Sequence, residues 1–167
     1  MVSGPPSGTV TFLFTDVVGS TELWERAPEV MREAIARHDV LLRTVIDEHG
    51  GYVFATAGDG FAAAFARAGD AIGAAVAAQV ALMVEAWPDG GRLSVRMGVH
   101  SGEADERDGD FFGPAVNRAA RIMSVARGGQ ILTSAVTAGL VAGATGVELR
   151  PVGSRRLRGV SLSLIHI

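Results

Sequence analysis

Two aspartates, Asp16 and Asp59, stand where a carboxylate can meet phosphate through a metal ion. Asp16 lies in Phe14-Thr15-Asp16-Val17-Val18-Gly19-Ser20-Thr21, just where a β-branched and aromatic run ends and a glycine and two hydroxyl residues open a helix. Backbone N–H groups at a helix start favour phosphate, and a carboxylate beside them is well placed only with Mg²⁺ between the two. Asp59 stands between Gly58 and Gly60, where the backbone can turn tightly and a ligand can approach. Taken singly, each aspartate is as readily a turn or capping residue. Taken as a pair on neighbouring strands, they can reach one sheet edge and bridge two metal ions. Asn117 and Arg121 are four residues apart and share a helix face, so an amide and a planar guanidinium can be presented together to a ribose and a phosphate. A solvated polar stripe has the same spacing, and Arg118 and Arg127 lie nearby.

These residues need a scaffold. Thr9–Phe14 (TVTFLF) reads as a strand. Ser20 and Thr21 are N-cap types before a short helix, and Pro28 starts a second one running to Glu48, ended by Gly50-Gly51. Tyr52–Thr56 and Phe61–Phe65 around Ala57-Gly58-Asp59-Gly60 read as a hairpin. A helix over Asp70–Trp87, a strand over Leu93–His100, a polar connection over Glu103–Asp110 and a helix over Pro114–Ala126 follow. Short elements close the chain: a strand at Ile131–Thr133, a helix at Ala135–Leu140, and strands at Val147–Val152 and Leu157–Ile167. This order predicts an α+β fold with a ferredoxin-like βαββαβ core, a mostly antiparallel sheet with helices packed on it, and extra C-terminal strands and helices. Met1–Gly8 reads as a flexible lead-in and residues 9–167 as a single domain.

The 167 residues suit one domain, and at 48% hydrophobic the chain can bury a sizeable core. The net charge of −3 argues against nucleic-acid binding. All 15 basic residues are arginine, and the absence of cysteine excludes disulfides and thiolate chemistry. In the alanine-rich middle the longest charge-free run, Ala71–Val84, is too short to span a bilayer and contains Gly73 and Gln79. A soluble, cytoplasmic domain without membrane contact is the expectation.

Four segments in order, FTDVVGST (Phe14–Thr21), AGDGF (Ala57–Phe61), VRMGVHSGE (Val95–Glu103) and DFFGPAVNRAARI (Asp110–Ile122), resemble the catalytic domain of bacterial, actinobacterial-like class III nucleotidyl cyclases. The resemblance implies a head-to-tail homodimer with active sites at its interface and two Mg²⁺ or Mn²⁺ ions per site. It implies metal ligands at Asp16, Asp59 and the carbonyl of Val17, and a phosphate cradle at Val18, Gly19, Ser20 and Thr21. Arg96 and Arg158 match triphosphate contacts, Arg158 standing where the family usually has lysine. Asn117 matches the ribose-orienting residue, Arg121 the transition-state arginine, and Asp110 a position that accepts from the adenine amino group. In the implied dimer Asp16, Asp59 and Arg96 come from one chain, and Asp110, Asn117, Arg121 and Arg158 from the other. The implied reaction is ATP to cyclic AMP and pyrophosphate, by attack of the ribose 3′-hydroxyl on the α-phosphate. The chain departs from the pattern at Ala55, where adenylyl cyclases usually carry a base-reading lysine. That departure leaves open a low-activity nucleotide-binding regulatory domain, or relaxed choice between ATP and GTP. A diguanylate cyclase has a similar core, but its GGDEF-type hairpin differs from AGDGF and gives no reason for Asn117 and Arg121.

Overall fold

The computed structural model describes residues 4–143, 146–157 and 160–167. The chain begins with β1 (Thr9–Val17), then α1 (Ser20–Arg26) and α2 (Pro28–Glu48). The hairpin β2 (Tyr52–Ala57) and β3 (Gly60–Phe65) leads into α3 (Ala68–Val84) and β4 (Val95–Glu103). A small hairpin, β5 (Asp105–Arg107) and β6 (Asp110–Phe112), precedes α4 (Pro114–Val125). Then come β7 (Ile131–Ser134), α5 (Ala135–Val141), β8 (Arg150–Leu157) and β9 (Val160–His166). The seven-stranded sheet has the order β2-β3-β1-β4-β7-β9-β8, with β4 and β7 the parallel neighbours and all other pairs antiparallel. Its first four strands, with α2 and α3, are the expected ferredoxin-like core.

Strand alternation splits the burial between two faces. Leu13, Phe61, Ala63, Phe65, Met97 and Val99 face α2 and α3 in the larger core. Ala71, Ala74, Ala75 and Ala78 of α3 are fully or almost fully buried, so small side chains bring this helix close to the sheet. On the opposite face Val10, Phe12, Ala64 and Phe111 pack with Ala115 and Ala119 of α4. Phe12, Phe54 and Phe111 meet edge to face with ring centroids 5.2–5.9 Å apart, each such pair contributing about 0.5–1.5 kcal/mol beyond its burial.

Beyond shifts of a few residues at other element ends, such as the last strand starting at Val160 rather than Leu157, the structure differs from the sequence reading in four places. Glu103–Asp110 is not merely a connection, because β5 and β6 pair across it, Arg107 opposite Asp110. α3 ends at Val84, and Trp87 folds back to donate from Nε1 to the Leu82 carbonyl at 3.0 Å. β8 begins at Arg150 rather than Val147, and its exposed residues are held as an edge strand by β9 rather than by a buried face. Finally, α1 is capped by Gly19 in the left-handed conformation, with Ser20 and Thr21 inside the helix and no side-chain cap.

A buried hydroxyl chain ties β1, β4, β7 and α5 together. Thr11 and Ser101 hydroxyls lie 2.8 Å apart, Ser101 and Thr137 2.9 Å, and the Ser134 hydroxyl lies 2.7 Å from Nδ1 of His100. Burial, and then the charge of Arg118, lower the His100 pKa from 6.5 to about 4. The folded chain therefore keeps His100 neutral while the unfolded chain protonates it below about pH 6.5. Between about pH 6.5 and 4 the unfolded state binds more protons, so acid withdraws stability across that window, by roughly 3 kcal/mol in all. In urea titrations at pH 7 and pH 4.5, the wild type is expected to lose about 2 kcal/mol more than His100→Gln. Equal losses in the two proteins would show that His100 is not buried neutral.

Candidate functional site

β1 carries Asp16 to the end of the sheet, next to the β2–β3 turn. Thr15 pairs with Phe61, and its Oγ1 accepts from the Phe61 N–H at 3.1 Å. A Cβ on Gly60 would stand 2.7 Å from the Thr15 carbonyl oxygen, and Gly58 has φ 59°, so glycine on both sides of Asp59 lets the turn close against β1. Asp59 is thereby held beside the Thr15–Asp16 junction. Its Oδ2 is buried and has no hydrogen-bond partner. A buried carboxylate oxygen without a partner costs on the order of 1–3 kcal/mol or more, and a coordinated cation offsets that cost.

Asp16 faces Arg96 across the β1–β4 ladder. Arg96 donates from Nε at 2.9 Å and from Nη2 at 2.6 Å, both to Asp16 Oδ2. Both side chains are a little over a quarter exposed (28% for Asp16, 29% for Arg96). The remaining guanidinium nitrogen, Nη1, donates to the Ser124 carbonyl of α4 at 2.9 Å. Among the described residues no group of three or more His, Asp or Glu could hold a metal alone. Two carboxylates beside a backbone carbonyl instead match Mg²⁺ or Mn²⁺, hard cations that take oxygen ligands and complete their shells with water and substrate phosphates. The orphaned Asp59 oxygen and this oxygen-only donor set fit such an ion.

The segment after Asp16 divides the expected phosphate cradle. The Val18 N–H is spent on the Ser94 carbonyl at 2.8 Å, so Val18 offers no amide to an anion, a correction to its expected role. Gly19, with φ 70° and ψ 22°, turns the chain into α1, and the first-turn amides of Ser20 and Thr21 follow it. The hydroxyls expected as caps are left free for other partners.

α4 presents Ala115, Ala119 and Ile122 to the sheet, which leaves Asn117 exposed and Arg121 half-buried on its outward side. Both residues share a face as the spacing predicts, but it is not the face of α4 that packs on the sheet carrying Asp16. Asp110 lies half-buried on β6, its Oδ1 accepting from the Phe111 N–H at 2.8 Å. β6 lies against β2, since a Cβ on Gly109 would stand 2.6 Å from the Tyr52 hydroxyl and the Tyr52 and Phe111 rings meet at 6.4 Å. β2 contains a bulge: Val53 pairs with Ala63, Ala55 with Ala62 and Thr56 with Phe61, leaving Phe54 as the extra residue. The bulge turns Ala55 onto the face of Ala62 and Phe54, the side carrying β6 and Asp110, and leaves Thr56 on the opposite face. Arg158 lies outside the described residues. The structure thus brings Asp16, Arg96 and Asp59 to one end of the sheet, with Val17 following Asp16 in β1, and leaves Asn117 and Arg121 on the outward side of α4.

Three positioning groups escape sequence reasoning. Thr15 sits inside a quoted motif, but its side-chain bond to β3 depends on register. Ser94 and Ser124 act through backbone carbonyls, which no residue type advertises.

The family model described as the adenylate and guanylate cyclase catalytic domain matches residues 2–166. A Mycobacterium tuberculosis protein described as uncharacterised is 41% identical over 160 residues, covering 93% of this chain and 54% of its own length. The adenylate cyclase of Schizosaccharomyces pombe is 38% identical over 156 residues, covering 78% of this chain and 9% of that protein. The chain therefore spans about half the length of the mycobacterial relative and a small part of the yeast one. Among solved structures, a Trypanosoma brucei adenylate cyclase described in its monomeric state superposes with a TM-score of 0.91 at 28% identity, covering 98% of this chain and 91% of that one.

Proposed function

The chain belongs to the adenylate and guanylate cyclase catalytic domain family, and from that premise we propose that it converts ATP to cyclic AMP and pyrophosphate. The observation that supports the reading is the orphaned, buried Oδ2 of Asp59 in the turn beside Asp16, an oxygen whose desolvation a cation would offset. In this reading residues 9–167 are one catalytic domain after a lead-in of residues 1–8. No helix among the described residues is long and apolar enough to cross a membrane. The proposed setting is the cytoplasm, where ATP is at hand.

Asp16, Asp59 and the carbonyl of Val17 would hold two Mg²⁺ or Mn²⁺ ions. Bound there, the ions supply acidification of the ribose 3′-hydroxyl and charge neutralisation on the phosphates. The amides of Gly19, Ser20 and Thr21 then face the triphosphate, with Arg96 and Arg158 as its side-chain contacts. Asn117 orients the ribose. Arg121 lies over the α-phosphorus and neutralises charge as the 3′-oxygen attacks and pyrophosphate leaves, a contact whose loss typically costs 10²–10³ in rate. Asp110 accepts from the adenine amino group. Because Asn117 and Arg121 point outward, they serve the metal corner of a second, head-to-tail copy. The reading is tested by incubating the protein with ATP or GTP, each with Mg²⁺ and with Mn²⁺, and identifying the cyclic product. Nucleotide binding without product under all four conditions would favour the regulatory-domain reading that Ala55 suggests.

Base choice has its own test. Ala55 offers a methyl group on the face where Asp110 sits, so one polar partner for the base is missing. Ala55→Lys is expected to raise the ATP-over-GTP ratio of kcat/KM by about tenfold, the equivalent of one buried hydrogen bond. An unchanged ratio in a folded variant would remove Ala55 from the base pocket.

A further inference from the structure

We infer that Arg96 is a positioning residue that couples occupancy of Asp16 to helix α4. The inference rests on the reading of Asp16 as a metal ligand. One guanidinium bridges two elements here, with Nε and Nη2 on Asp16 Oδ2 and Nη1 on the Ser124 carbonyl. Ser124 lies in the last turn of α4, where carbonyls have no helical partner and the helix end carries partial negative charge. Arg96 therefore has two independent reasons to stay where it is. Arg96 neutralises one of the two carboxylates and places both of its bonds to Asp16 on a single oxygen.

A divalent cation arriving at Asp16 meets this arrangement as a competitor. It repels the guanidinium and draws on the same carboxylate, so Arg96 loosens from Asp16 as the cation binds. The bond to Ser124 is then the remaining restraint on Arg96, and any displacement of the guanidinium pulls on or frees the last turn of α4. Asn117 and Arg121 stand on that helix. Metal loading of one corner is thus transmitted to side chains that face a second copy, through a single arginine and without a hinge.

Manganese binding to the nucleotide-free protein, followed by electron paramagnetic resonance, tests this without reference to turnover. Arg96→Ala removes a competing cation and is expected to tighten Mn²⁺ binding about three- to tenfold. Hydrogen exchange of amides in the last turn of α4 is expected to change on adding Mn²⁺ to the wild type and to stay constant in Arg96→Ala. Arg96→Lys, which keeps the charge but loses the fork spanning both partners, is expected to bind Mn²⁺ as the wild type does while losing the exchange response. Unfolding midpoints establish that each variant is folded, and should Arg96→Ala not fold, the Arg96→Lys exchange result decides alone. Mn²⁺ affinity that is unchanged or weaker in folded Arg96→Ala overturns the coupling, as does an α4 that ignores Mn²⁺ in the wild type. Asp16→Asn separates the premise from the inference. Full Mn²⁺ affinity in that variant overturns the metal reading itself and the coupling with it.

Discussion

Mixed in equal amounts, Asp59→Ala and Arg121→Ala chains are expected to regain about a quarter of wild-type cyclase activity, although each alone is nearly inactive. The expectation follows from where the two side chains point. Asp59 closes against β1 with an unpartnered carboxylate oxygen, while Arg121 lies on the side of α4 turned away from the sheet. A site using both takes them from different chains. In a two-fold, head-to-tail pair each chain then lends one half to each of two sites. Random pairing gives about half mixed dimers, and each mixed dimer has one complete site of two, hence the quarter. Asp59→Ala alone is expected to lose at least about 10³-fold in kcat, since it removes a carboxylate proposed to hold a cation, and Arg121→Ala about 10²–10³-fold. Product formation from cyclase-inactive single variants, measured before and after mixing, decides the matter. No recovery on mixing, with each variant folded and nucleotide-binding, would place the whole site within one chain and contradict the outward reading of α4.

What the sequence shows of this site depends on how local the signal is. Asp16 and Asp59 are legible because each sits between a strand and a turn that local chemistry marks, a hydroxyl-rich helix start and a Gly-Asp-Gly tip. Asn117 and Arg121 are legible as a pair because a helix fixes their spacing. The direction in which that pair points is not, since it depends on which stripe of α4 meets the sheet. Likewise the ferredoxin-like order of β1 to β4 follows from element order and length, whereas β8 does not. Its residues are exposed and polar along most of their length, and pairing with β9 rather than periodicity makes it a strand. The β2 bulge is the clearest case of hidden information. Simple alternation from Val53 would send Ala55 to the α2 and α3 side, but the extra residue at Phe54 turns it toward Asp110. Val18 shows the same limit in another form. Its N–H reads as free until the loop before β4 arrives with the Ser94 carbonyl.

Gly98→Val is expected to destabilise the fold by about 3–5 kcal/mol, a large share of the roughly 5–15 kcal/mol that holds a domain together, and to abolish activity. Gly98 lies in β4, opposite Phe14 on one side and Leu132 on the other. A Cβ there would collide with the backbone nitrogen of Met123 and come within 2.8 Å of the Ala119 carbonyl oxygen. These are main-chain atoms of α4, so no rotamer change relieves the clash. The helix must lift off the sheet, and with it go the Arg96–Ser124 bond and the placement of Asn117 and Arg121. The neighbouring glycines grade the effect. At Gly102 the added carbon meets a single atom, the Ala115 Cβ, at 2.9 Å; that carbon is fixed to the α4 backbone, so the helix must still give, but by less than against the main-chain atoms at Gly98. At Gly69, in the first turn of α3, nothing lies within 4 Å, and alanine there narrows the unfolded chain's freedom, so Gly69→Ala is expected to be neutral or stabilising by about 0.5 kcal/mol. Gly98→Ala, Gly102→Ala and Gly69→Ala compared by urea midpoint should therefore fall in that order of loss. A Gly98→Ala midpoint equal to that of Gly69→Ala would mean that α4 does not rest on β4 at this point. The close approach is what Gly98 is for: it lets β4, which carries Arg96, lie near enough to α4 for one guanidinium to touch both Asp16 and Ser124.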